Sequence, residues 1–151
     1  MYLVDTNIVS AAAPSKRAHD AALVTWMDEH SAYLYLSAVS IAEIAAGIAG
    51  LWRRGAMRRA GDLEAWLETL LHLYSDRVLP LDIAVARIAG RLTDQARGMG
   101  HAPGFADVAI AATAQHHGLT ILTRNTRHFA PLGVPFLDPS ITLPPVRSTF
   151  E

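Results

Sequence analysis

Three carboxylates sit where an acid has no ordinary reason to be. Asp5 follows Tyr2, Leu3 and Val4, β-prone apolar residues that read as a buried strand ending on an ionisable group. Glu43, in SIAEIAAGI, lies about 200° around a helix from Ile41 and so points away from the apolar stripe Ile41, Ile44, Ala45 and Ile48. Its own face continues as Ala46, Gly47 and Gly50, which admits close approach by a backbone, a helix or a substrate strand. Asp107 opens a helix that Phe105, Val108, Ala109, Ile110, Ala111 and Ala112 make apolar nearly all round, the pattern of a buried helix. Each acid also has a plain reading. Asp5 or Thr6 can cap the next helix, Glu43 can be solvated, and a helix N-terminus favours an acid such as Asp107 by about 0.3–1 kcal/mol. Burying an unpaired carboxylate costs more than that, and no lysine or arginine lies within two turns of Asp107 on its helix, so a compensating cation is expected. A bound metal is the economical candidate. Oxygen ligands suit Mg²⁺ or Mn²⁺, which retain several waters and bridge carboxylates to substrate phosphate, and the matching chemistry is phosphodiester hydrolysis.

The elements that must position these acids alternate. Short β-like runs at 2–4, 33–37, 78–81, 120–123 and 135–137 are separated by longer helical patterns, which predicts parallel βα units and an α/β fold. Leu23, Trp26, Met27 and His30 recur at helical spacing, and further helices are expected over 62–74, over 83–97 and from Phe105 onward. In an open parallel sheet, ligands bind beyond the carboxyl ends of the strands where strand order reverses, and Asp5 stands at such an end. WRRGAMRR places Arg53, Arg54, Arg58 and Arg59 around a connection between helices, either as a solvated loop or as an RNA-steering patch. The stretch from Trp52 through Met57, Leu63, Trp66 and Leu67 reads as core or helix interface. His116 and His117, before Gly118, lack a zinc-ligand spacing and are read as a helix end.

Composition narrows the chemistry. A chain of 151 residues, 51% hydrophobic, fits one domain with a sizeable core. Cysteine is absent, which excludes thiolate metal sites and cysteine nucleophiles. The first residues lack a secretory signal and no apolar run reaches the roughly 18 residues of a membrane span, so a soluble, cytoplasmic protein with no membrane partner is expected. The net charge of −1 gives no global attraction to a polyanion, although twelve arginines accompany a single lysine, Lys16.

VDTNIVS at the start, SIAEIAAGI around residue 43, DVAIAATAQHHGL from residue 107 and LTRNTRHF from residue 122 resemble the successive motifs of PIN-domain ribonucleases, particularly the VapC- and FitB-like bacterial toxins. The resemblance implies a PIN domain over 2–138, built as a parallel sheet of about five strands between helical layers (three-layer α/β/α), while the following stretch PSITLPPVRSTFE, 139–151, reads from its own composition as an extended, mobile tail. The resemblance also implies Mg²⁺- or Mn²⁺-dependent endoribonucleolytic cleavage, with Asp5, Glu43 and Asp107 as catalytic and metal-binding acids. It further implies an RNA substrate, a cognate antitoxin with a small DNA-binding domain, and a homodimer. Many relatives carry a fourth acid where this chain has Asn125 and His128. The asparagine amide can still hold a metal-bound water, while Thr6, Thr123, Asn125 and His128 are candidates for orienting the acids or contacting phosphate. A haloacid-dehalogenase-like phosphatase would need a second aspartate at position 7, which is Asn7, and a Rossmann cofactor enzyme would need a G-x-G-x-x-G turn after the first strand. A PIN-like RNA-binding or scaffold domain without catalysis is the non-enzymatic alternative.

Overall fold

A computed structural model describes residues 1–146 of the chain. Strands β1 (Tyr2–Val4), β2 (Leu34–Ser37), β3 (Val78–Leu79), β4 (Thr120–Leu122) and β5 (Phe136–Leu137) form a single sheet in the order β3-β2-β1-β4-β5. Every neighbouring pair is parallel. β1 is central, so it needs apolar side chains on both faces: Leu3 and Val4 are both fully buried, each worth roughly 1.5–3 kcal/mol. Helices α1 (Thr6–Val9), α2 (Ala21–Glu29), α3 (Ala38–Arg53) and α4 (Met57–Leu73) pack on the face carrying Tyr2 and Val4. Helices α5 (Ile83–Gly98), α6 (Phe105–His117) and α7 (Thr126–Phe129) pack on the face carrying Leu3. The expected three-layer α/β/α arrangement therefore holds.

The order of the strands decides where a ligand can enter. From β1 the chain steps outward through β2 to β3, then returns across the sheet to β4 and continues outward to β5. Right-handed crossovers running in opposite directions place their helices on opposite faces, which leaves a crevice at the carboxyl ends of β1 and β4. Asp5 and Thr123 are the residues immediately after those two strands.

Several elements differ in extent from their sequence expectations. The strands at 33–37, 78–81, 120–123 and 135–137 are shorter, pairing only over the residues given above. The helix expected over 62–74 begins at Met57, because Ala60, Leu67 and Leu70 hold one buried face through Gly61 despite the roughly 1 kcal/mol that glycine costs in a helix. Ala45 is exposed, since the buried stripe of α3 is the narrower series Ser40, Ile44 and Ile48. Trp52 and Met57 are likewise exposed, whereas Leu67 is buried and Leu63 and Trp66 are partly so. Gly118 takes the left-handed conformation (φ 65°) that ends α6 and turns the chain into β4. Residues 139–146 are anchored to the body rather than projecting free: the Tyr2 hydroxyl donates to the Pro145 carbonyl at 2.6 Å, and Val146 packs against the core. The rest of the expected tail lies outside the described residues. No helix among the described residues is long and apolar enough to cross a membrane.

Candidate active site

Asp5 is buried, 4% exposed, and both of its carboxylate oxygens are held. Oδ1 accepts from the Thr6 backbone N–H at 2.8 Å, and Oδ2 accepts from the Thr123 hydroxyl at 2.7 Å. Its carbonyl accepts from Ile8 and Val9 N–H groups, so the capping role is real and coexists with a place in the crevice. Its own N–H donates to the Leu122 carbonyl at 2.9 Å, extending the β1–β4 ladder by one step. Thr123 is saturated: while donating to Asp5 it receives the Asn125 N–H at 2.9 Å and the Asn7 Nδ2 at 3.4 Å, filling both lone pairs. The hydroxyl proton must therefore point at Asp5, which favours an ionised carboxylate there. Burial works against it and pushes the Asp5 carboxyl above the usual range; the bonds from Thr123 and Thr6 oppose that rise, and the negative charges of Asp107 and Glu43 add to it.

Glu43 reaches the same place from α3. Its Oε1 accepts from the Thr6 hydroxyl at 2.7 Å, so Thr6 uses its backbone for Asp5 and its side chain for Glu43. Asp107, in the first turn of α6, has its Oδ2 3.0 Å from His128 Nδ1, which must carry the proton to donate. Asp107 is only partly buried, so burial alone does not demand a cation there, and its side-chain partner among the described residues is the imidazole of His128 in α7. Glu43 borders an open space of about 310 Å³ and Asp107 another of about 380 Å³.

The structure sorts the remaining candidates. The side chains of Thr6, Thr123 and His128 each hydrogen-bond one of the three acids, and the Thr6 backbone bonds a second. Asn125 engages Thr123 through its backbone, while its exposed side chain makes no hydrogen bond to another described residue. Arg58 and Arg59 lie in the first turn of α4 and not in the connection, which is 54–56. Arg54 and Arg59 line the space beside Glu43; Arg53 and Arg58 do not. In the sequence Asn7 argues only against a phosphatase and carries almost no other signal of a role at the site. Its amide ties α1 to the turn after β4, with Nδ2 on Thr123 and Oδ1 accepting from the Arg124 N–H at 3.3 Å. The one available signal was a polar residue two positions after Asp5 in a short helix otherwise continuing into apolar Ile8 and Val9. Arg124, near the acids in sequence order after β4, spends its charge on Asp20 at 2.8 Å, as an ion pair and not as an aligned hydrogen bond.

Whether these donors suit a divalent cation can be judged from their chemistry. Among the described residues, no three His, Cys, Asp or Glu side chains converge enough to enclose an ion by themselves. That rules against a closed cage of the zinc or calcium kind, yet Mg²⁺ commonly takes one or two carboxylates and keeps the rest of its shell as water. Two solvent-reached acids flanking a buried one, with no lysine or arginine among the described residues paired to any of them, fit such a water-rich site.

The PIN domain family model matches residues 2–133. The chain is 35% identical over 141 residues to "Toxin FitB" of Neisseria gonorrhoeae, covering 92% of this chain and 98% of that protein. It is 36% identical over 141 residues to "VapC ribonuclease Y4jK" of Sinorhizobium fredii, covering 92% and 97%. The crystal structure of FitAcB from Neisseria gonorrhoeae superposes with a TM-score of 0.81 at 34% identity, covering 93% of this chain and 99% of that one. With the motifs in order along a parallel sheet of matching architecture, the chain belongs to the PIN-domain family.

Proposed function

We propose that this protein is a Mg²⁺- or Mn²⁺-dependent endoribonuclease that acts as the toxin of a toxin–antitoxin pair. The observation that carries the reading is the buried Asp5 directly after β1, tied through Thr6 to Glu43 and near enough to Asp107 and Glu43 for their charges to raise its carboxyl. The similarity to a protein named as a VapC ribonuclease and to another named as a toxin supports the same assignment. Asp5, with Glu43 and Asp107 beside it, would hold the ion, and Asn125 stands close enough in sequence to Thr123 to contribute through a water. When bound there, a divalent ion would supply positive charge for the phosphate oxygens and lower the cost of deprotonating water. The chain's own residues set orientation: Thr123 and Thr6 fix Asp5, Thr6 fixes Glu43, and His128 fixes Asp107. In the overall hydrolysis a water oxygen bonds to phosphorus, one P–O ester bond breaks, and the leaving oxygen takes up a proton. The reading extends to a homodimer, a cognate antitoxin with a small DNA-binding domain, and a cytoplasmic location.

The test is cleavage of single-stranded RNA by the purified chain with Mg²⁺, with Mn²⁺ and in chelator. Activity is expected only with metal, and Asp5→Asn or Asp107→Asn should reduce it by about 10²-fold or more, the scale for loss of a group that stabilises transition-state charge. Full activity in chelator, or unchanged rates in both folded variants, refutes it. Tight divalent binding without any RNA cleavage would favour the non-catalytic, scaffold-like alternative.

A further inference from the structure

The end of α3, the start of α4 and the segment 10–16 enclose the space of about 310 Å³ that opens onto Thr6 and Glu43. Its floor is apolar, and its charged lining is lopsided: Lys16, Arg54 and Arg59 against Glu43 alone. None of the three cations forms an ion pair with a described residue. The wall along α3 is bare. A Cβ added at Gly47, one turn from Glu43, would meet nothing within 4 Å, and one added at Gly50 would stand 3.1 Å from Arg54 Nη1. Glycine at 50 thus lets the Arg54 guanidinium lie back along the helix, and the line Glu43, Gly47, Gly50, Arg54 runs about 16 Å from acid to cation at the α-helical rise. Trp66 contributes an aromatic surface to the same space.

We infer that this cleft is a nucleotide subsite, holding the RNA strand adjacent to the scissile phosphate with its phosphates on Lys16, Arg54 and Arg59 and a base against Trp66. The inference rests on the ribonuclease reading of the neighbouring acids. Excess cation without counter-acid suits a polyanion, and an aromatic face accepts any base. A neutral or basic peptide in the same cleft would leave three cations unmatched. Arg53, on the same helix turn but outside the lining, has no such role and supplies the control.

The experiment measures binding of a fluorescent, mixed-sequence, single-stranded RNA octamer to the full chain in chelator, at several salt concentrations, with cleavage measured separately in Mg²⁺. Lys16→Ala, Arg54→Ala and Arg59→Ala should each weaken binding roughly tenfold and flatten the log–log salt slope by about 0.7, the share of one single-strand phosphate contact. Gly47→Leu fills the cleft without changing charge, at a helical position that gains propensity, and should weaken binding as strongly. RNA-induced quenching of tryptophan fluorescence should disappear in Trp66→Phe. Arg53→Ala should bind as the parent does. Equal losses in Arg53→Ala and Arg54→Ala, or parental binding by Gly47→Leu, overturn the subsite. So does intact RNA binding by the cleft variants combined with lost copurification of the antitoxin, which would make the cleft a peptide site. A parent that cleaves RNA while all variants bind normally loses only the subsite. A parent that binds but never cleaves, with binding lost in the variants, keeps the subsite and loses the nuclease reading, and a parent that does neither loses both.

Discussion

Asp5→Asn should make the protein more stable at neutral pH in the absence of metal, even as it removes activity. Burial raises the Asp5 carboxyl above its usual range, opposed by the Thr123 and Thr6 bonds and reinforced by Asp107 and Glu43. The unfolded carboxyl titrates near about 3.9. A group raised in the folded state gives its full stabilisation below that unfolded value and loses it as pH climbs through the folded value, so above both the ionised Asp5 is a net cost. Asparagine keeps the shape. Its oxygen can still accept from Thr6 N–H, while its amide must donate to Thr123, whose lone pairs already take Asn125 N–H at 2.9 Å and Asn7 Nδ2 at 3.4 Å. The longer contact lies beyond the normal range and yields, while the Thr123 hydroxyl proton loses its acceptor, a cost that offsets part of the gain. Single stabilising substitutions commonly add about 0.5–2 kcal/mol, and a gain of roughly 1 kcal/mol raises Tm by about 2–4 °C for a chain of this size. Calorimetry in chelator from pH 4 to pH 8 measures the gap between parent and variant, which should narrow toward acid and reach a plateau toward neutral pH. Adding Mg²⁺ at ten times its Kd should stabilise the parent by about 1.4 kcal/mol and leave the variant nearly unmoved, reversing the order. A variant less stable than the parent at neutral pH in chelator, or a gap that widens toward acid, would refute the electrostatic account of Asp5.

Thr123→Val removes the proton donor to a buried carboxylate oxygen and the acceptor for two amides, and should cost about 1–3 kcal/mol, lowering Tm by roughly 2–12 °C in the same calorimetry while pushing the Asp5 carboxyl further up. His128→Asp replaces the imidazole beside Asp107 with another carboxylate, and should lower the Mg²⁺ concentration for half-maximal cleavage; titration calorimetry without RNA should then show tighter or additional ion binding, and no change in either would remove position 128 from metal occupancy.

The acids were legible because they are locally anomalous. An aspartate ending a fully apolar strand, or opening an alanine-rich helix with no basic neighbour, stands out locally, so Asp5 and Asp107 can be picked out before any topology is known; Asp5 is then found buried and Asp107 only partly so. The α/β class was legible for a related reason: a parallel strand covered on both faces must be a continuous apolar run, and Tyr2, Leu3 and Val4 are one. Strand order is different. Nothing in the periodicity of the five runs says that β1 pairs with both β2 and β4, and only that pairing puts Thr123 against Asp5 across 118 positions of chain.

Hydroxyls and amides also escape local reading, since threonine and asparagine are ordinary residues in turns and caps. Thr6 and Thr123 could be named only as candidates, and Asn7 not at all, because what distinguishes them is the count of bonds they make across elements. Helix phase explains the arginines. Four guanidinium groups in seven residues look equivalent in a row, but once α4 starts at Met57 the turn at 54–56 sends Arg54 back over Gly50 and leaves Arg53 on another face. A glycine that seemed to mark a smooth helix face for a partner is what gives Arg54 its resting place along the cleft that opens onto Glu43. The property that matters at Gly50 is therefore the absence of a side chain against one particular cation, and that pairing exists only after the helix has formed.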